Sequence, residues 1–152
     1  MDLKKLVTEV DLYRGEKNEG KGANLLKGKI IGVYFSAGWC GPCRQFTPKL
    51  KRFYEKLIKE GKPFEIIFVS ADHEKEEALE YYEEKMGKWL MLEFNEKSFE
   101  DLKNALKIPG IPEFKIIKSD GTIIVDDGRS EVTEQGSDDP VALFTKWEKL
   151  AA

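Results

Sequence analysis

The chain has 152 residues, 41% of them hydrophobic, 11% aromatic and 35% charged, with a net charge of −3. A chain of that length buries roughly 68–70% of its unfolded surface, enough to fold without a disulfide or a metal. The nearly balanced charge, without a basic block, argues against nucleic acid or an anionic membrane as partner. No apolar run approaches the ~20 residues of a membrane span.

The start, MDLKKLVTEVDLYRG, lacks the apolar stretch of a signal peptide. The expected setting is therefore reducing and cytoplasmic, with nuclear entry or unconventional secretion left open. Arg14–Lys29 is rich in Gly and Lys and reads as turns around short strands. Ile30–Ser36, IIGVYFS, is a nearly continuous apolar run, the pattern of a strand buried on both faces. Beyond the cysteines, Phe46, Leu50, Phe53, Tyr54, Leu57 and Ile58 recur at helical spacing, and Gly61 and Pro63 end that helix.

Phe64–Ser70, FEIIFVS, is a second buried strand. Asp72 is placed to N-cap the acidic helix that follows, with Glu74 and Glu76 near its positive end. Its carboxylates otherwise read as a solvated face. KWLMLEF predicts a short extended piece, and SFEDLKNALKI a helix with Phe99, Leu102 and Leu106 inward. EFKIIKSDGTIIVDD predicts a hairpin turning at Ser119–Gly121, and DPVALFTKWEKL a final helix with Leu143, Trp147 and Leu150 on one stripe. Trp89 and Trp147 read as core. The order β-α-β-α-(β)-α-β-β-α implies an α/β fold, a mixed sheet flanked by helices on both faces.

Both cysteines, Cys40 and Cys43, lie where the first buried strand gives way to a helix. A zinc site takes four ligands, and the chain offers two cysteines and one distant histidine, His73, so no metal is expected. As a staple, a two-residue gap restrains little chain entropy. A redox pair accounts for more. Cys40 would face a helix N-terminus, whose free N–H groups and dipole favour a thiolate. Gly41 and Pro42 form the turn, and Pro42 starts the helix with its φ already set. Trp39 screens the pair. Arg44 is a nearby positive charge, read first as an ordinary solvated side chain. His73 reads as a solvated loop histidine.

Through WCGPC (Trp39–Cys43) the sequence resembles the thioredoxin superfamily. Pro48, five residues after Cys43, and GIPEFKII (Gly110–Ile117) agree with that resemblance. The stretch from GKIIGVYFSAGWCGPC to FEIIFVSAD, with the long gap before Pro112, is similar to the nucleoredoxin and tryparedoxin branch. The resemblance runs from about Leu25 to Trp147. It implies one thioredoxin-like domain over 1–152, with N-terminal strands and turns over 1–29 and the core over 30–150. It also implies a cis peptide before Pro112 and a substrate-binding platform of Trp39, Ile111 and Pro112, while Pro109 is expected trans by default. The implied activity is thiol–disulfide exchange, reducing protein disulfides by a Cys40/Cys43 cycle. The alternative is a redox-switched binding module of nucleoredoxin type with little turnover. No bound cofactor is implied. Electrons would come from a thioredoxin reductase, a low-molecular-weight dithiol or a glutathione system. A peroxidase would need a cysteine beyond this pair, and with none spare a monomer is expected.

Three positions depart from pattern. Gly41 stands where the branch usually has Pro, and Glu113 follows the proline where Thr is usual. Tyr34 occupies the place of thioredoxin's buried Asp, where it would support the motif from beneath. Asp72 is then the candidate for helping proton transfer to or from Cys43.

Overall fold

The computed structural model describes residues 2–152. A short helix, α1 (Leu3–Thr8), starts from Asp2, whose carboxylate accepts the Lys4 N–H at 3.0 Å. Strands β1 (Asp11–Arg14) and β2 (Lys17–Lys21) form an antiparallel hairpin, and one turn of helix, α2 (Gly22–Leu25), leads on. The strands expected in Arg14–Lys29 are present, although β1 begins before that segment and α2 is helical. From there the order is β3 (Ile30–Ser36), α3 (Gly41–Lys59), β4 (Phe64–Ser70), α4 (Lys75–Lys85), β5 (Leu90–Leu92) and α5 (Glu96–Leu106). The chain ends with β6 (Glu113–Lys118), β7 (Ile123–Val125), α6 (Gly128–Glu131), a π turn over Val132–Gly136 and α7 (Pro140–Ala151).

All seven strands join one sheet in the order β2-β1-β5-β4-β3-β6-β7. β3 runs parallel to β4, from Ile30↔Phe64 to Ser36↔Ser70, and antiparallel to β6, with Phe35 opposite Glu113. The fold is thus thioredoxin-like α/β, a mixed sheet with helices on both faces. Because side chains alternate along a strand, β3 feeds two cores. Ile30 and Tyr34 face an aromatic-rich layer under α3, α4 and α7 with Phe53, Phe64, Phe114 and Trp147. Ile31, Val33 and Phe35 face an aliphatic layer under α1 and α5 with Leu6, Leu102 and Leu106. A side chain at Gly32 would collide with the Phe114 ring, so glycine lets that ring cross the strand.

Two stripe positions differ from the expected pattern. Ile58 is 44% exposed. Leu57 in the same turn is fully buried, and Ile58, the next residue and so about 100° further round the helix, falls outside the inward stripe. Leu150 is 51% exposed, because four residues after Trp147 the inward stripe continues through Ala151. The helix α4 corrects another expectation. Its N-cap is Glu74, whose N–H is met by the Glu77 carboxylate at 3.1 Å, and Asp72 lies outside the helix.

Candidate active site

Where β3 ends, the backbone turns over Ala37–Cys40, the Cys40 N–H closing onto the Ala37 carbonyl at 3.2 Å. Cys40 has extended backbone and is the N-cap of α3. Its sulfur does the capping, accepting the Cys43 N–H at 3.2 Å. Pro42 sits in the first turn, where its missing N–H leaves nothing unsatisfied. Cys40 and Cys43 form a disulfide with their Cα atoms 5.2 Å apart. Cys43 is fully buried and Cys40 shows 6% of its surface, so the outer sulfur is the one a partner would reach. Ala37, Ala71 and Ile111 pack around the pair.

Each neighbour has a definite position. Trp39 is 55% exposed, with its indole N–H donating to the Ala71 carbonyl at 3.3 Å. Its ring stacks on His73, centroids 5.6 Å apart and planes 26° from parallel. His73 is an exposed loop residue, as expected, and its ring also braces the tryptophan. Arg44 is exposed but not free, since its guanidinium donates to the Gly38 carbonyl at 2.9 Å. From the other side of that turn, Asp72 Oδ1 accepts the Gly38 N–H at 2.8 Å while Oδ2 accepts the Ser70 hydroxyl at 2.7 Å. Asp72 is buried, and none of these bonds reaches Cys43.

The Ile111–Pro112 bond is the one cis peptide among the described residues. It lies just ahead of β6, whose antiparallel pairing with β3 brings Ile111 against the dithiol. Glu113, next in the chain, lies 3.4 Å from the buried Lys115 ammonium, which also meets Asp126 at 2.8 Å. Burial alone would lower the Lys115 pKa, but Asp126 and Glu113 outweigh it and raise it. This triad floors a groove of about 830 Å³ that begins at Pro42, Gln45 and Phe46 and extends to Arg129.

Beneath the disulfide lie four buried hydroxyls, those of Tyr34, Ser36, Thr47 and Tyr81. Tyr34 does support the motif, its phenol 2.7 Å from the Thr47 hydroxyl, which donates to the Cys43 carbonyl at 2.9 Å. Burial, reinforced by the neighbouring Tyr81, holds the Tyr34 phenol well above its ordinary pKa. It stays protonated and does not replace a carboxylate as acceptor for the Cys43 proton. Nothing in the sequence pattern singles out Ser36 or Tyr81. Tyr34 is the one member the sequence singles out; the four-residue spacing of Thr47 from Cys43 on α3 allows its bond to the Cys43 carbonyl but carries no sign of its phenol partners.

Known proteins agree with this geometry. A family model described as thioredoxin-like matches residues 28–123. The probable nucleoredoxin 1 of Arabidopsis thaliana is 38% identical over 113 residues, which take in 74% of this chain and 19% of that protein. Among curated relatives the matched region spans between about a fifth and a third of their length. The crystal structure of a thioredoxin from Wuchereria bancrofti is 40% identical, covers all of both chains and superposes with a TM-score of 0.78. A tryparedoxin II complexed with glutathionylspermidine is 34% identical over 92% of this chain and 94% of its own, with a TM-score of 0.79.

Proposed function

This chain belongs to the thioredoxin-like family, and from that premise we propose that it reduces disulfides in other proteins through a Cys40/Cys43 cycle. The Cys40 thiolate attacks one sulfur of a substrate disulfide, and the substrate's other sulfur leaves as a thiolate and takes a proton. Cys43 then gives up its proton and attacks Cys40 Sγ in the mixed disulfide. The second substrate thiolate departs, two electrons have passed to the substrate, and the Cys40–Cys43 disulfide remains.

The observation that carries this reading is the Cys43 N–H aimed at Cys40 Sγ at 3.2 Å, on the first turn of a helix and beside the cis Ile111–Pro112 peptide. A helix N-terminus and a direct N–H bond favour negative charge on that sulfur, and a thioredoxin-type cysteine titrates near ~7. Trp39 and Ile111 supply an apolar, sequence-tolerant platform for an extended substrate. The proton of Cys43 has Asp72 as its exchange group. The only other buried carboxylate among the described residues, Glu65, lies at the far end of β4. No bound cofactor takes part. Electrons return from a thioredoxin reductase or from a low-molecular-weight dithiol or glutathione system, the latter in keeping with the glutathionylspermidine bound by the tryparedoxin II neighbour. The setting for this cycle is the reducing cytoplasm.

Cys43→Ser tests the scheme, because it leaves the attack by Cys40 intact and removes the release step. Incubated with a cell lysate, that variant is expected to collect covalent adducts that dithiothreitol dissolves and that vanish in Cys40→Ser/Cys43→Ser. Absence of such adducts would remove the reductase reading. Abundant non-covalent partners, with no turnover by the unaltered protein, would favour a redox-switched binding module instead.

A further inference from the structure

The four hydroxyls under the disulfide form a chain whose direction can be worked out by counting protons. Thr47 Oγ1 lies 2.9 Å from the Cys43 carbonyl, 2.7 Å from the Tyr34 phenol and 2.6 Å from the Tyr81 phenol. Ser36 Oγ lies 2.8 Å from the same Tyr81 oxygen. A carbonyl accepts only, so the single Thr47 proton goes to Cys43. Both phenols then donate to Thr47, which has two lone pairs to receive them, and the Tyr34 proton is shared with the Cys43 carbonyl itself at 3.5 Å. Having used its proton, Tyr81 accepts from Ser36. In this arrangement every O–H is directed toward the Cys43 carbonyl, either at it or through Thr47. Hydrogen bonds aligned in this way polarise one another, more so in a buried site.

That carbonyl is a sensitive place to pull. It belongs to the peptide whose N–H, on Arg44, donates to the Cys40 carbonyl at 3.1 Å, while the Cys43 N–H donates to Cys40 Sγ. Further along α3, Pro48 lacks the N–H that the Arg44 carbonyl would normally receive, so the helix ladder is interrupted just beyond Thr47. The leading turn of α3 is therefore secured from the side, by β3 through Tyr34 and by α4 through Tyr81.

We propose that Thr47 and Tyr81 are positioning residues of the dithiol, their directed hydroxyl chain fixing the Cys43 backbone so that its N–H holds the Cys40 thiolate. The acidic helix α4 thereby acts on the redox pair through Tyr81. The high pKa of Tyr34 fits this arrangement, since every member of the chain must keep its proton. Stabilising the thiolate stabilises the reduced form and makes the disulfide more oxidising. Loosening the chain must do the reverse.

The inference takes from the proposed function only that Cys40 is the sulfur that ionises. The test follows the pH dependence of Cys40 alkylation by iodoacetamide in the reduced protein, and the equilibrium of the pair against dithiothreitol. Thr47→Val and Tyr81→Phe keep shape and remove a hydroxyl, and each is expected to raise the alkylation midpoint by ~0.5–1 unit. Each should also move the redox equilibrium about three- to tenfold toward the disulfide, where tenfold is 29.6 mV for two electrons. Thr47→Ser, which retains the hydroxyl, restores both values. A purely structural role would lower denaturant stability while leaving midpoint and potential where they were, and that result overturns the inference. So does a Thr47→Ser protein that behaves like Thr47→Val. A Cys40 in the unaltered protein that titrates like a free thiol removes this inference and the proposed function together. A depressed midpoint that no variant shifts removes this inference alone.

Discussion

At the scale of single residues, Asp72 shows how one carboxylate can hold a loop and still be available for chemistry. Its oxygens accept from Gly38 N–H and from the Ser70 hydroxyl, while its own N–H donates back to Ser70. Asn at this position keeps an oxygen for Gly38, and the Ser70 hydroxyl can rotate to accept from the new amide. Asp72→Asn therefore removes the charge and retains the loop. If Asp72 exchanges the Cys43 proton, the release of mixed disulfides should slow by about 100-fold or more, the range general acid–base groups supply, and its pH profile should change shape. Melting should move little. A release step with an unchanged pH profile, measured by stopped flow, would take that role away from Asp72. Cys40, Cys43, Trp39 and Pro112 were legible because each sits in a motif whose chemistry is local. Asp72 was half legible. Thr47, Tyr81 and Ser36 were not, because a hydroxyl's partner is set by packing between α3, α4 and β3, and no spacing in the chain records that distance.

At the scale of elements, the start of α4 shows where a local rule misplaces a boundary. An Asp just before an acidic amphipathic run has the chemistry of an N-cap, yet the carboxylate of Asp72 is already taken by Gly38 and Ser70. The helix begins three residues later at Lys75, and Glu77 reaches back to the Glu74 N–H. Glu77→Ala should therefore cost about 0.5–1 kcal/mol, the ordinary value of a missing cap bond, as read from urea denaturation. Because Tyr81 lies one turn further on, the change should also appear as faster amide exchange across the first turn of α4. An Asp72→Ala variant that frayed α4 equally would contradict this assignment. The buried strands were legible for the opposite reason. Seven consecutive apolar or small residues in IIGVYFS have no solvent-facing alternative, so β3 follows from composition alone.

At the scale of the whole molecule, the sheet carries its redox pair at one end and a half-buried ion pair at the other. Between Ile30↔Phe64 and Ser36↔Ser70 the parallel strands run six residues, about 20 Å. Cys40 follows the second pairing, and Glu65 sits at the first. Glu65 is buried, accepting from Arg14 at 3.0 Å, from the Tyr54 phenol at 3.0 Å and from the Ile66 N–H at 2.9 Å. Arg14 also donates to the Lys88 carbonyl at 2.9 Å, so this arginine fastens the N-terminal hairpin to β4 and to the approach to β5. None of this was legible, since a lone Arg in a Gly- and Lys-rich segment carries no sign of a partner 51 residues away. Burial raises the Glu65 pKa, and the Ile66 N–H, Arg14 and Tyr54 offset it only in part. A carboxyl raised in the folded state favours folding most below the unfolded value of ~4.3 and loses that contribution as pH rises. Removing Arg14 raises it further. Arg14→Ala should thus lower stability little near pH 4, where Glu65 keeps its proton. The destabilisation should grow to about 2–3 kcal/mol at pH 7, below the figure for a fully buried pair because Arg14 is partly exposed. Urea titrations at the two pH values check the slope, and a destabilisation independent of pH would mean that the Lys88 hydrogen bond, not the charge of Glu65, holds the hairpin. Disulfide exchange by the folded Arg14→Ala protein should match that of the unaltered one, because Arg14 and Glu65 meet at the end of the sheet that Cys40 does not occupy.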